Sequence, residues 1–267
     1  VNRQAETSMV FGLRQSGKSQ RARTMTTETP RVVIYDSMGH DYTDGVVVES
    51  LPAFRTALGR WYRNDAFRII YRPRGCSREE CKAARRIDPE FAEVSALVYE
   101  CADVVFLVDE LQMYADGGQF DREFLDIVTH GRHAGADRGL PGVDLIAITQ
   151  VPQGLGNRVP ALVDHWYIFA TVHPDHIRFF RDICFGIDEQ DIRRLQKYEY
   201  IYFRQGADSY WICRDDLTTG ETLRQEREYL YDRAGKGTDG AAVCGNLQSR
   251  GAVERDPADS VEDMPTP

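Results

Sequence analysis

Short, nearly continuous apolar runs punctuate the chain and are separated by longer amphipathic stretches. Ser8-Met9-Val10-Phe11, Arg31-Val32-Val33-Ile34-Tyr35, Phe67-Arg68-Ile69-Ile70-Tyr71, Val104-Val105-Phe106-Leu107-Val108, residues 143–149 and residues 165–170 each read as a strand. A run that is apolar at successive positions is what a strand buried on both faces requires, and such strands belong to parallel sheets covered by helices. Helical spacing is predicted over 51–62, 121–130, 175–185 and 188–196. Ser77-Arg78-Glu79-Glu80 is a capping box that opens a helical stretch to about Cys101, and Pro89 interrupts it, so one helix and two helices are both open. Residues 198–204 and 209–214 flank a turn at Gly206 and predict a β-hairpin at the sheet edge, and 221–233 is expected to be a charged helix. The regular alternation of strand and helix predicts a three-layer α/β domain with a mainly parallel sheet over residues 1–233. From Ala234 onward large apolar residues almost vanish, and 234–267 is expected to be a disordered tail rich in Gly, Asp and Pro.

Between the first strand and a helix start at Ser19-Gln20-Arg21-Ala22-Arg23 lies Gly12-Leu13-Arg14-Gln15-Ser16-Gly17-Lys18-Ser19. This is G-x-x-x-x-G-K-[ST] in the strand–loop–helix context that a phosphate-binding loop needs. Gly12 and Gly17 permit the turn and a close backbone approach. The loop from Gly12 to Ser19, with Gln20 at the helix start, would wrap the phosphates of ATP at a helix N-terminus. Lys18 would reach the β- and γ-phosphates, and Ser19 would place its hydroxyl on Mg²⁺.

Ligands of parallel α/β sheets sit beyond the carboxyl ends of the strands, where more candidate chemistry gathers. Asp109 ends the most apolar run and suits a Walker B carboxylate holding hydrated Mg²⁺. Glu110 beside it can polarise an attacking water as a general base. Gln150 ends another buried strand; its amide could report on the γ-phosphate or serve as a plain loop residue. Arg132, in Gly131-Arg132-His133, reads either as an arginine finger for a neighbouring subunit or as a helix-terminal cation. His173-Pro174-Asp175-His176 lacks a third nearby ligand and reads as a polar turn into a helix rather than a metal site.

Composition trims the alternatives. The 267 residues carry a formal net charge of −9, which argues against nucleic-acid binding by bulk charge and leaves room for a local basic strip. The 6 cysteines contain no C-x-x-C pair and read as free thiols. No apolar run approaches the roughly 18 residues of a transmembrane helix, and no secretory signal is recognisable, so a cytoplasmic location is expected.

Taken in order, Gly12–Ser19, the strands ending at Asp36 and Arg72-Pro73, Val105–Glu110, Gly131-Arg132-His133 and Leu145–Gln150 followed by Val151-Pro152 resemble the FtsK/HerA superfamily of ring-forming, DNA-pumping ATPases, over roughly residues 8–205. The pairing of G-R-H with a downstream I-T-Q-x-P is the most specific part, and it is similar to genome-packaging ATPases of tailless viruses and related mobile elements. The resemblance implies a RecA/ASCE-like P-loop NTPase fold with the strand leading to Gln150 between the phosphate-loop strand and the Asp109 strand. It implies Gln150 as sensor, Arg132 as a finger acting in trans, and a hexameric homo-oligomer ring around double-stranded DNA. A host-cytoplasmic or virion-associated location follows from the same likeness; the acidic segment 252–267 reads either as a solvating disordered tail, which is favoured, or as a docking segment for a capsid or portal-like partner. The alternative is a phage assembly or secretion ATPase resembling zonular occludens toxin-like proteins.

Overall fold

A computed structural model describes residues 5–39, 41–75, 77–184, 187–207, 209–216 and 222–228. The chain divides into two units, Val1–Leu230 and Tyr231–Pro267, and every described residue lies in the first. The tail expected from Ala234, with its acidic end, falls outside the described residues.

Among the described residues one ten-stranded sheet runs in the order β10-β9-β8-β7-β1-β6-β5-β2-β4-β3. Its strands are β1 (Thr7–Phe11), β2 (Arg31–Tyr35), β3 (Val46–Val48), β4 (Phe67–Tyr71), β5 (Val104–Val108), β6 (Val143–Thr149), β7 (His165–Phe169), β8 (Glu199–Arg204), β9 (Ser209–Asp215) and β10 (Thr222–Glu228). From β3 to β7 every pairing is parallel, and β8, β9 and β10 add on antiparallel. β6 lies between β1 and β5, as the sequence resemblance implied.

The apolar runs explain the layering. Along each central strand alternate side chains enter opposite cores: Met9 and Phe11 one, Val10 the other; Val104, Phe106 and Val108 one, Val105 and Leu107 the other. The larger core is closed by α2 (Leu51–Trp61), α4 (Pro89–Cys101), α5 (Arg122–His130) and α6 (Pro174–Ile183) through Phe54, Phe91, Phe124 and Phe180. The smaller core is closed by α1 (Lys18–Thr26), through Ala22 and Met25, and by Tyr42. This is the expected three-layer α/β arrangement with a mainly parallel sheet.

Pro89 does divide the helical stretch. α3 (Arg78–Ala84) ends where Arg85 turns left-handed (φ 54°), and α4 restarts at Pro89 with Asp88 as N-cap, its carboxylate accepting from the Phe91 N–H at 2.9 Å. The capping box forms reciprocally: the Ser77 N–H donates to Glu80 at 2.7 Å and the Glu80 N–H donates to Ser77 Oγ at 3.2 Å.

One expectation is corrected. Residues 222–228 are not helical but form β10, paired along its length with β9. The stretch TLRQERE has helix-forming side chains, yet β9 offers an unpaired edge whose backbone groups need partners, and that pairing overrides propensity. Its charges then face solvent, as suits an outermost strand. The predicted hairpin is accordingly a three-stranded meander, and residues 229–233 lie outside the described residues. β3, a short parallel strand at the opposite edge, was not anticipated.

Gly59 sits on the exposed side of α2 with no atom within 4 Å of where a Cβ would project. Gly59→Ala is therefore expected to raise stability by about 0.5–1 kcal/mol by removing unfolded-state freedom, read as a higher urea midpoint with an unchanged slope.

Candidate nucleotide site

The loop after β1 is shaped by backbone conformation. Gly12, Gln15 and Gly17 have φ of 158°, 62° and 117°. A Cβ on Gly12 would lie 2.5 Å from Cβ of Phe169, and one on Gly17 would lie 2.8 Å from the Tyr198 ring. Both glycines are thus dictated by close approach as well as by φ. The loop is pinned on both sides: the Gly12 N–H donates to Thr149 O (3.4 Å), the Leu13 N–H to Ala170 O (3.5 Å), and the Tyr198 N–H to Ser16 O (3.0 Å). Leu13, Arg14 and Gln15 form its exposed rim, while Ser16 and Lys18 are buried. Lys18 Nζ and Ser16 Oγ both donate to Leu13 O at 2.8 Å, so the ammonium folds back over the loop's own carbonyl. Burial lowers the lysine pKa, and Glu110, Asp109 and Asp41 pull the other way.

Carboxylates converge on that ammonium. Asp109 is 2% exposed, and its Oδ2 is buried without a hydrogen-bond partner among the described residues. Burial first, then the charges of Glu110, Asp41 and Asp36, push its carboxyl up to about 7. Ser19 Oγ donates to Asp41 Oδ2 at 2.9 Å, and the Arg23 guanidinium donates to the Asp41 carbonyl. Asp36 is fully buried, with its Oδ1 accepting from the Gly39 N–H (3.0 Å) and its Oδ2 from Arg72 Nε (3.3 Å). An orphaned buried carboxylate oxygen beside a hydroxyl and a further acid is a donor set of hard oxygens, the kind Mg²⁺ takes. Ser19 and Asp109 therefore fit the ion expected from sequence, and a cation among them would reverse the shift at Asp109.

Glu110 adopts a left-handed backbone (φ 51°, ψ 50°) at the start of a one-turn 3-10 helix, Leu111–Tyr114. For a non-glycine residue this is a costly conformation that persists only when its surroundings enforce it. The carboxylate is held by amides: Gln150 Nε2 and Gln112 Nε2 both donate to it. Gln112 Oε1 in turn accepts from Thr149 Oγ1 (2.7 Å) and from the Gln150 N–H (3.3 Å). A closed circuit of Glu110, Gln150, Thr149 and Gln112 thus ties the end of β5 to the end of β6.

Lys18, Ser19, Asp109, Glu110 and Gln150 are brought together at one edge of the sheet. Arg132 is not with them. It lies in a one-turn helix, Gly131–His133, against the start of β6, and its guanidinium pairs with Asp164 at 3.2 Å. Asp164 also accepts from the Thr7 N–H (2.8 Å) at the beginning of β1. Arg132 is therefore a strand's length, roughly 15–20 Å, from the phosphate loop of its own chain. Sequence reasoning missed Asp41, Gln112 and Thr149. The first sits in an irregular loop, and the other two flank recognised residues without belonging to a motif.

No protein-family model matches the chain, and no curated protein matches it in sequence. Solved structures do. The genome packaging NTPase B204 from Sulfolobus turreted icosahedral virus 2, in complex with ATP-gammaS, superposes with a TM-score of 0.59 at 16% identity, covering 78% of this chain and 96% of B204. B204, the DNA-packaging ATPase from Sulfolobus Turreted Icosahedral Virus, gives 0.54 at 13% identity over 86% and 100%. The likeness is one of fold: a P-loop NTPase domain with a large, mostly parallel sheet and antiparallel strands added at the C-terminal end. The N-terminal domain of zonular occludens toxin from Neisseria meningitidis aligns at 16% identity over 85% and 95%, with a TM-score of only 0.37.

In this P-loop fold the Gly12 contact with Phe169 sets a steep steric requirement. Gly12→Ala is expected to weaken ATP binding by about tenfold or more, because the loop must shift off the end of β7. Equilibrium titration with a fluorescent ATP analogue checks this; unchanged affinity would show that the loop is not held as described.

Proposed function

We propose that this chain is an ATP-hydrolysing motor that translocates double-stranded DNA, of the type that packages a viral or mobile-element genome. The observation that carries the reading is the Glu110 carboxylate, buttressed by two amides and set beside buried Lys18 and the orphaned Asp109 oxygen. A nucleotide switch or a small-molecule kinase has less use for a second, oriented carboxylate there.

Glu110 accepts a proton from water as the water oxygen bonds to the γ-phosphorus, and the bond to the bridging oxygen breaks with its electron pair leaving on ADP. Lys18 leaves the Leu13 carbonyl for the β- and γ-oxygens, and the loop N–H groups from Leu13 to Gln20 hold the remaining phosphate charge. Ser19, and Asp109 through water, would hold Mg²⁺, which neutralises charge on the β- and γ-phosphates when bound. Gln150 shares the Glu110 carboxylate, so protonation there weakens one of its hydrogen bonds and signals hydrolysis to β6.

Arg132 serves the neighbouring subunit. Its place at the amino edge excludes action in its own site, and its pair with Asp164, 40% and 30% exposed, is weak enough to be given up. Arg132 edge against nucleotide edge makes a head-to-tail contact, which closes into a ring; we read it as a hexamer around DNA, acting in the cytoplasm or on the virion.

Glu110→Gln is expected to bind ATP with near-native affinity and to lose at least about a hundredfold in turnover. Arg132→Ala should be equally slow. Mixed one to one, the two inactive variants should recover activity, because about one interface in four then pairs an intact Glu110 with an intact Arg132. Recovery on mixing supports a finger acting in trans; none, with assembly verified by light scattering, removes it.

Duplex DNA should stimulate ATP turnover by the assembled protein at low salt, with stimulation falling steeply as salt rises, since phosphate contacts release counterions. A rate indifferent to DNA at low salt would leave an ATPase but no DNA motor.

A further inference from the structure

With ATP bound as proposed above, the sheet order fixes which way the nucleotide lies. The γ-phosphate end is set by Glu110 and Gln150, on β5 and β6, to one side of β1. The nucleoside must then extend over the other side, above the ends of β7 and β8. From β1 to β8 is two strand spacings, roughly 10 Å, a span that ribose and two phosphates cover.

At that place stands Tyr198, just before β8. Its backbone is left-handed (φ 69°), which an aromatic residue adopts at a cost. The conformation is held from both sides: its N–H donates to Ser16 O in the phosphate loop (3.0 Å), and its carbonyl accepts from the Asp215 N–H at the end of β9 (3.4 Å). The ring is thereby pressed against the loop, 2.8 Å from where a Cβ on Gly17 would lie, and the residue is half-buried rather than sealed in the core. The exposed Lys197 ammonium lies over the ring, 4.9 Å from its centroid, and marks a face that a flat π-partner can take once the flexible lysine swings off. Asp215 is itself anchored to α1, paired with Arg21 at 3.5 Å, whose guanidinium lies over the Tyr167 and Tyr200 rings. The platform and the phosphate loop therefore form one rigid unit.

We infer that the Tyr198 ring is the stacking platform for the base of the bound nucleoside triphosphate. It acts by π-stacking, which every base can supply, so it contributes affinity more than selection among bases. This rests on the ATP reading of the same site, and the experiment separates the two by comparing ATP with inorganic tripolyphosphate, which has the phosphates and no base.

Binding of both ligands is measured by calorimetry on the full chain and on Tyr198→Phe and Tyr198→Asn. Asparagine tolerates the left-handed backbone and removes the ring. The expected result is ATP affinity lowered about tenfold or more in Tyr198→Asn, tripolyphosphate affinity unchanged, and both preserved in Tyr198→Phe. ATP affinity unaffected by Tyr198→Asn, or ATP and tripolyphosphate weakened alike, overturns the inference, the second because the ring then only props the loop. Wild-type protein that binds neither ligand sinks the ATP reading and the inference with it. If Tyr198→Asn does not fold, Tyr198→Trp gives the same answer: its fluorescence should be quenched by ATP and not by tripolyphosphate, and equal quenching or none overturns the stacking role.

Discussion

Lys18 and the acids Asp36, Asp41, Asp109 and Glu110 share one sheet edge, Lys18, Asp36 and Asp109 buried and the other two half-buried, and the rest of the site follows from that confinement. Desolvation lowers the lysine and raises Asp109, so each group is held away from its ordinary ionisation by the same burial. Such an edge is poorly neutralised by its own residues; its carboxylates ask for a cation and its loop N–H groups for an anion. A metal–triphosphate supplies both at once. The hydrogen bonds of Lys18 to Leu13 O and of Ser19 to Asp41 satisfy groups that the ligand would otherwise engage, which makes them exchangeable rather than permanent.

β6 connects this edge to the distant arginine. Its carboxyl end carries Thr149 and Gln150 in the circuit around Glu110, and its amino end, at Val143, packs against Gly131 next to Arg132. The approach there is tight: a Cβ on Gly142 would fall 2.3 Å from the Gly131 carbonyl. Because β6 is hydrogen-bonded on both sides, to β1 and to β5, it can hardly bend. In the motor proposed above, a change at Gln150 would reach Arg132 as a small displacement of a stiff strand, not as a loosening of it. That coupling needs no contiguous wire of side chains beyond the strand itself.

Much of this was legible from the chain because its logic is local. Continuous apolar runs announced strands buried on two faces, and the order of a parallel sheet then forced the loops after β1, β5 and β6 onto one edge, where Lys18, Asp109 with Glu110, and Gln150 do meet. Even the remoteness of Arg132 follows: α5 leaves the carboxyl edge after β5 and must return to the amino edge to feed β6, so its last turn arrives there. What escaped were residues whose roles depend on tertiary placement. Asp41 comes from a loop without period, Gln112 from a one-turn helix, and Tyr198 from the step into β8. The strand at 222–228 was missed because the partner that makes it a strand, the open edge of β9, is not visible in its own seven letters.

The antiparallel strands are more than an extension of the sheet. β8 runs against β7 and β9 against β8, so the start of β8 and the end of β9 both lie at the nucleotide edge, where a parallel strand in the place of β8 would have delivered only its carboxyl end. The return places Tyr198 on Gly17 and Asp215 on Arg21. A phosphate loop is built chiefly from glycine backbone and has few side chains with which to hold its own shape. Here its outer flank is set by a tyrosine pinned on Ser16 and its following helix by a buried arginine pair, so the meander acts as the far wall of the site. The phosphate loop is then held between the end of β6, through the Gly12 N–H on Thr149 O, and the start of β8, through the Tyr198 N–H on Ser16 O, which the proposed nucleotide would face as its phosphate and nucleoside sides.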